Sequence, residues 1–244
     1  MSIVSKEWAK GLLRMAGFEV TRVARVRHTQ EALFEHIRRL PFRPGTVIDV
    51  GVAYGTPELH SRFPGAKLLL IEPLEEFEPI LKELGRKVGT DYVLAAAGAE
   101  PGTVTMNVRP QDLAASSRFE ELGVPSERRE VPMETLDTLI AERRLPGPYL
   151  IKVDVQGAEL DVLNGAKQIL KKTDFVLLEV SFFRFHSGEE PQFADVVRFM
   201  DERDFAVYDI VGGLNRPADD ALAQVDVAFV KESGVFRQHH RYQL

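Results

Sequence analysis

Acidic residues follow several apolar segments of the sequence, at the points where strands of a sheet would end. Asp49 lies near the end of TVIDV, Glu72 follows KLLLI, Asp154 follows YLIKV and Glu179 lies within FVLLEV. In a parallel sheet covered by helices, ligands bind at the carboxyl edge, where such side chains would meet. We therefore interpret these carboxylates as parts of one ligand site.

The turn after the first acid carries two glycines, Gly51 and Gly55, which permit close approach of the backbone to a ligand. It lacks the middle glycine of a dinucleotide-binding turn, and the sequence has no G-x-x-x-x-G-K-[ST] phosphate loop. Glu72 lies 21 residues after Gly51 (72 − 51), where nucleoside-binding folds place the carboxylate that binds ribose. Asp49 favours a ligand with a cationic end. Together these features predict S-adenosylmethionine.

Several residues around these two acids are predicted to contact the cofactor. A glycine after a strand is often only a turn, a terminal Asp can cap a helix, and Glu72-Pro73 can be an ordinary strand exit. The order and spacing of these features favour the cofactor interpretation. The predicted cofactor-binding residues are Asp49, Gly51, Val52, Ala53, Tyr54, Gly55, Glu72, Pro73, Ala97 and Asp154.

S-adenosylmethionine is a methyl donor, and methyl transfer to an acceptor that carries a proton requires an aligned acceptor and the removal of that proton. We predict Asp154, Lys152 and His186 as catalytic residues, because they lie in or after the predicted strands at 149–153 and 175–180. Asp154 is also a candidate helix cap, Lys152 needs an acidic partner wherever it is buried, and most single histidines are not catalytic. No zinc-binding histidine spacing occurs, so no metal is predicted, although magnesium at Asp154 stays open.

The apolar patterns predict an α/β chain in which helices and strands alternate. Strands with continuous apolar residues are typical of parallel sheets that helices cover on both faces. A helical extension (1–44) is predicted to pack on a single domain (45–244). Strands are expected at 46–50, 67–71, 92–97, 103–108, 149–153, 175–180, 205–211 and 225–230; helices at 3–16, 29–40, 56–63, 75–84, 133–144, 158–171 and 193–203; and a mobile loop at 109–130.

Composition narrows the class of protein further. The 244 residues carry a net charge of −6 and no cysteine, which excludes disulfides, cysteine-bound metals and thiol nucleophiles. The acidic balance argues against a nucleic-acid partner. No segment approaches the roughly 20 apolar residues of a membrane span, and no signal peptide is apparent. We expect a cytoplasmic protein and leave its oligomeric state open.

Five segments resemble the successive motifs of the FkbM family of S-adenosylmethionine-dependent methyltransferases. They are DVGVAYG (49–55), LIEPLEEF (70–77), ETLDTLI (134–140), LIKVDVQGAELDVLNGA (150–166) and LLEVSF (177–182). The resemblance implies a class I methyltransferase (Rossmann-like) fold: a doubly wound, seven-stranded, mostly parallel sheet with a C-terminal antiparallel hairpin. It also implies O-methylation of a hydroxyl on a small molecule, sugar or natural product. The turn departs from the family's commoner DVGANxG, and Tyr54 is placed to cover the methionine end of the cofactor.

Other functions remain to be weighed against this one. A nicotinamide-dependent oxidoreductase would need the glycine that the turn lacks. A non-catalytic scaffold or partner protein with the same fold would not need intact motifs. Methylation of RNA is disfavoured by the acidic composition, which leaves protein substrates open.

Overall fold

The computed structural model describes residues 14, 15, 17, 27–87, 89–188 and 190–241. Most of the helix predicted at 3–16 lies outside these residues. No helix within the described ranges is long and apolar enough to cross a membrane.

The elements follow the predicted alternation. In the described chain the strands are β1 (Thr46–Val50), β2 (Lys67–Glu72), β3 (Thr90–Leu94), β4 (Ala96–Ala97), β5 (Gly102–Val108), β6 (Glu127–Glu134), β7 (Tyr149–Val153), β8 (Thr173–Ser181), β9 (Phe205–Asn215) and β10 (Leu222–Lys231). The α-helices are α1 (Gln30–Arg38), α2 (Pro57–His60), α3 (Glu78–Gly85), α4 (Leu136–Arg143), α5 (Glu159–Asn164) and α6 (Phe193–Asp201). Short 3₁₀ helices lie at Glu75–Phe77, Leu113–Ala115 and Ile169–Lys172.

Seven strands form the main sheet, in the order β3-β2-β1-β7-β8-β10-β9. The first five are parallel, and β10 runs antiparallel to both β8 and β9. β1 and β7 are buried at every position, as their apolar sequences predict. The predicted class I methyltransferase sheet with its C-terminal hairpin is confirmed.

The register of β1 and β7 determines where the site forms. Asp49 pairs with Lys152, and Val50 pairs with Val153. Both strands therefore end at the same level, and the turns that follow them leave the sheet side by side. This brings Asp49 on β1 close to the residues that follow β7.

A second sheet, in the order β4-β6-β5, was not predicted. The region 109–130 was expected to be a loop, but β6 begins at Glu127 and pairs antiparallel with β5. The helix expected from 133 begins instead at Leu136, where the Thr135 hydroxyl accepts a hydrogen bond from Thr138 N. The second sheet packs Met106 and Val131 against Phe77, and so forms a wall beside the end of β2.

The helix predicted at 158–171 is interrupted. α5 ends at Asn164, and the chain continues as a 3₁₀ helix from Ile169. A Cβ on Gly165 would overlap the carbonyl oxygen of Gly98, so only glycine permits this close packing.

α1 joins the described end of the N-terminal region to the sheet. Thr29 caps this helix, and its side chain accepts a hydrogen bond from Ala32 N at 3.2 Å. Leu33, Phe34 and Ile37 are buried in the core. The predicted division of the chain at residue 44 stays a prediction.

Candidate active site

A cleft of about 330 Å³ lies at the carboxyl edge of the main sheet. The turns after β1, β2 and β7 and the end of β8 form one side, and the 3₁₀ helix Leu113–Ala115 lies opposite. Most of the predicted site residues line it: Gly51, Val52, Ala53, Tyr54, Gly55, Glu72, Pro73, Lys152 and Asp154. Asp49, Ala97 and His186 do not.

Gly51 allows the two central turns of the site to touch. Its φ is +77°, a conformation that favours glycine, and a Cβ there would overlap the carbonyl oxygen of Asp154. Asp154 N in turn donates to the carbonyl oxygen of Val50 at 3.0 Å. The sequence requirement for glycine at this position therefore comes from the neighbouring strand end as well as from any ligand.

Glu72 orders the backbone around the cleft. Its Oε2 accepts from Ala53 N and its Oε1 from Leu74 N, both at 3.0 Å. Burial raises the pKa of Glu72, while these two backbone donors act in the opposite direction. An ionised carboxylate accepts about four hydrogen bonds, so each oxygen retains capacity for a hydroxyl donor.

Asp49 lies beneath the cleft floor, and its carboxylate is buried. Its Oδ2 is 2.6 Å from His60 Nε2, and its Oδ1 is 3.4 Å from Lys152 Nζ. Burial favours a higher pKa for Asp49, but Lys152 and His60 together lower the pKa below its ordinary value. The predicted contact between Asp49 and the cofactor stays a prediction, and the structure gives this carboxylate two other partners.

Lys152 connects Asp49 to Asp154. Its Nζ lies 3.2 Å from Asp154 Oδ2. Burial favours a lower pKa for Lys152, but the two carboxylates outweigh it and raise the pKa above the ordinary lysine value. Exposure of the side chains rises along this series, from 0% for Asp49 to 5% for Lys152 and 29% for Asp154. Asp154 is therefore the member of this series that is most accessible from the cleft.

Gln156 joins Asp154 to a second carboxyl group. Its Nε2 donates to Glu179 Oε2 at 2.7 Å and lies 3.2 Å from Asp154 Oδ1. Its φ is +55°, and its carbonyl oxygen accepts from Ser117 Oγ at 2.6 Å. Burial, with Asp154, Glu159 and Asp226 nearby, raises the pKa of Glu179 to about 9. At neutral pH Glu179 therefore carries a proton beside Asp154.

Metal-binding geometry is absent from the described ranges, where no three histidine, aspartate or glutamate side chains are grouped to hold an ion.

A narrow apolar cavity adjoins the cleft and contains Ala97. It shares the lining residues Gly51, Pro73, Met106 and Val155 with the cleft, so the two lie side by side. The remaining lining residues are mostly small or aliphatic: Val50, Ile71, Ala95, Ala96, Val104, Arg118, Met133 and Ala158. A flat, largely apolar group fits this composition.

His186 lies in the loop after β8, outside the cleft lining. Its Nδ1 is 3.1 Å from Glu190 Oε1, and both side chains are buried. Glu190 Oε2 also accepts from the backbone N–H groups of Phe185 and His186. Glu190 packs against Gly157, so this loop braces the turn after β7. The predicted role of His186 as a general base stays a prediction.

Three polar residues near the site received no role from the sequence. Gln30 and Glu58 line the cleft, and His60 lies beneath it on Asp49. Glu58 and His60 follow the turn with two glycines, which is a weak signal. Gln30 reaches the cleft from α1, far away in the sequence, and no local pattern indicates that contact.

Comparisons with known proteins identify the family of the chain. The sequence profile of the Methyltransferase FkbM domain matches residues 49–207. The hexuronic acid methyltransferase AglP of Haloferax volcanii is 25% identical over 191 residues, which cover 64% of this chain and 74% of AglP. The 2-O-methyltransferase NoeI of Sinorhizobium fredii is 41% identical over 61 residues, 25% of each chain.

The crystal structure of methyltransferase FkbM from Methylobacillus flagellatus aligns with this chain at a TM-score of 0.48, and the aligned sequences are 18% identical. The similarity covers 83% of this chain and 48% of that protein, so this chain spans about half of its length. The profile match extends over more than half of the present sequence and includes the turn after β1, β2, β7 and β8. The chain belongs to the FkbM family of methyltransferases.

Proposed function

We propose that this protein transfers the methyl group of S-adenosylmethionine to a hydroxyl group of a small molecule or glycan. One observation carries the proposal: the turn at residues 51–55, Glu72 and Asp154 line a single cleft in a chain of the FkbM family. Two relatives are named for methylation of a hexuronic acid and for 2-O-methylation, which supports a sugar hydroxyl as acceptor.

Each part of the cofactor has a suitable place in the cleft. The backbone of residues 51–55 surrounds the methionine end, and Glu72 accepts hydrogen bonds from the two ribose hydroxyls. The adenine lies in the cleft at the mouth of the apolar cavity beside Ala97, whose volume of about 40 Å³ admits only part of a purine ring. Tyr54, which packs edge-on against Phe77 with ring centroids 5.1 Å apart, closes the methionine end.

The acceptor hydroxyl must lose its proton as the methyl group is transferred. When bound, S-adenosylmethionine supplies an electrophilic methyl group on a sulfonium. Asp154 accepts the proton, because it is the most exposed carboxylate of the Asp49–Lys152–Asp154 series. Lys152 holds one oxygen of Asp154 at 3.2 Å and leaves the other available to the acceptor and Gln156. His186 is the second candidate for this role.

Calorimetric titration with S-adenosylhomocysteine tests the cofactor assignment, with NAD as the comparison. We expect 1:1 binding of the homocysteine nucleoside and no binding of NAD. Release of S-adenosylhomocysteine in the presence of simple glycosides then tests transfer to a hydroxyl. A folded protein that does not bind the nucleoside at millimolar concentration would favour the scaffold alternative.

A further inference from the structure

Part of the cleft is left over once the proposed cofactor contacts are assigned. Gln30, Glu58, Gln156 and Glu179 line it and belong to none of those contacts. We call these four residues the acceptor end. They come from α1, α2, the turn after β7 and the end of β8, so the acceptor end is built by elements that the folded chain brings together.

Side-chain oxygens that can accept hydrogen bonds predominate at the acceptor end. Glu58 and Glu179 supply carboxyl groups, and Asp154 lies beside them. Glu58 forms no ion pair or hydrogen bond within the described part of the chain, so its charge is available to a ligand. Behind Gln30 lies a further acid, Asp226, whose Oδ2 accepts from Gln30 Nε2 at 2.9 Å.

Positive charge is scarce in the same region. Among the described residues that line the cleft, Lys152 is the one lysine or arginine. Its ammonium group already lies 3.2 Å from Asp154 and 3.4 Å from Asp49. An ammonium group has three N–H donors. Because the ammonium group of Lys152 is buried between two carboxylates, it has little capacity to bind a third anion.

Two described arginines that line adjoining hollows are also paired. Arg62 lines an adjoining hollow, where its guanidinium is 3.0 Å from Glu31 and 3.4 Å from Glu35. Arg118 at the apolar cavity pairs with Asp161. His28 lies at the exposed rim of the hollow. In the described part of the site, a carboxylate on the acceptor would therefore meet the carboxylates of Glu58 and Asp154, with no unpaired lysine or arginine beside them.

We propose, building on the function proposed above, that the acceptor is a sugar without a carboxylate: a neutral polyhydroxyl ring or an amino sugar. Sugar hydroxyls donate to Glu58 and to the side-chain oxygen of Gln156, whose two N–H groups already donate to Glu179 and Asp154. They accept from the second N–H of the Gln30 amide, whose first N–H donates to Asp226. An ammonium substituent is attracted by the carboxylates of Glu58 and Asp154. The preference differs from the hexuronic acid in the name of AglP, whose sequence is 25% identical to this one.

The test compares three acceptors that differ at one substituent: the methyl glycosides of glucose, glucosamine and glucuronic acid. S-adenosylhomocysteine release gives kcat/KM for each. We expect the glucoside and the glucosaminide to exceed the glucuronide at least tenfold. Glu58→Gln should narrow the gap between glucosaminide and glucuronide several-fold, because it removes one unpaired negative charge.

Glu83→Gln is the matched control, since Glu83 forms an exposed ion pair with Arg86 on α3 and should leave the ratio unchanged. A glucuronide that equals or exceeds the other two would overturn the inference while leaving the methyltransferase proposal intact. Transfer to none of the three, with S-adenosylhomocysteine still bound, would overturn the sugar assignment. Absence of S-adenosylhomocysteine binding would instead be a failure of the proposed function itself.

Discussion

His60 Nε2 lies 2.6 Å from Asp49 Oδ2, and both side chains are almost fully buried. The other oxygen of Asp49 faces Lys152, whose ammonium contacts Asp154 in the cleft. His60 on α2 is therefore connected through two charged groups, Asp49 and Lys152, to the proposed proton acceptor Asp154. Since Asp49 has no access to the cleft, its main effect there is to position Lys152.

Replacing Asp49 with Asn should destabilise the protein more than it weakens cofactor binding. Removing one partner of a buried ion pair costs about 3–5 kcal/mol, because Lys152 keeps its charge. For a domain of this size the Tm should fall by roughly 6–20 °C. Thermal unfolding without ligand measures the loss. Normal thermal stability combined with lost affinity for S-adenosylhomocysteine would mean that Asp49 binds the cofactor directly.

The same pair makes stability depend on pH with a defined sign. The pKa of Asp49 is lowered in the folded protein, so its charge stabilises the fold above the unfolded aspartate value, about 4. This contribution is lost as the pH falls through the lowered folded value. Urea unfolding of wild type and Asp49→Asn should therefore differ most near neutral pH, and the difference should shrink in acid. A difference that is constant down to about pH 2 would contradict the ionic explanation.

Glu72→Gln should weaken binding of S-adenosylhomocysteine about 10–100-fold. Hydrogen bonds to a charged group contribute roughly 1.5–3 kcal/mol each, and the amide keeps only one accepting oxygen. Because burial raises the pKa of Glu72, wild-type affinity should begin to fall at a higher pH than for an exposed glutamate, and the variant should lack this dependence. Calorimetry at several pH values measures both effects. Glu76→Gln, in an exposed pair with Arg129, is the control and should bind normally.

Asp154→Asn should reduce kcat about 100-fold or more, because the amide cannot accept the hydroxyl proton. Asp154 is 29% exposed and Lys152 keeps its buried partner Asp49, so the Tm should fall less than in Asp49→Asn. Steady-state rates with saturating cofactor measure the effect. Asp161→Asn, which affects only the partly exposed pair with Arg118, should keep its kcat. An active Asp154→Asn variant would transfer the role of base to another group.

His186→Asn separates the two candidates for the base. The imidazole lies against Glu190 outside the cleft lining, so we expect a lower Tm and an unchanged pH–rate profile. The profile of kcat against pH is the decisive measurement. Loss of its acidic limb in this variant, with the fold intact, would identify His186 as the base instead of Asp154.

The strands that carry the site were predictable from local sequence. β1, β2, β7 and β8 are short apolar runs, and a strand buried on both faces requires such a run. Parallel pairing then brings their final residues to one edge. This is why most of the predicted cofactor contacts line one cleft.

Elements that depend on distant partners were harder to predict. β6 has the sequence ERREVPME, and Val131 is its one buried residue. No alternation of apolar and polar residues therefore identifies β6 as a strand. Its pairing with β5 supplies what the local pattern lacks. The contact of His60 with Asp49 likewise depends on how the glycine turn folds back beneath the sheet edge. The spacing of residues along the sequence therefore predicts neither the β5–β6 pairing nor the contact between His60 and Asp49.

The overlap that glycine avoids at position 51 has a consequence for how this scaffold can diversify. Because the Gly51 and Asp154 backbones touch, a shift of one turn displaces the other. A change that moves the proposed cofactor-binding turn therefore also moves Asp154, the proposed proton acceptor. Gln30 and Glu58 come from α1 and α2, outside that contact. Exchange of residues on those two helices can redirect the enzyme to another acceptor while the reacting groups keep their alignment.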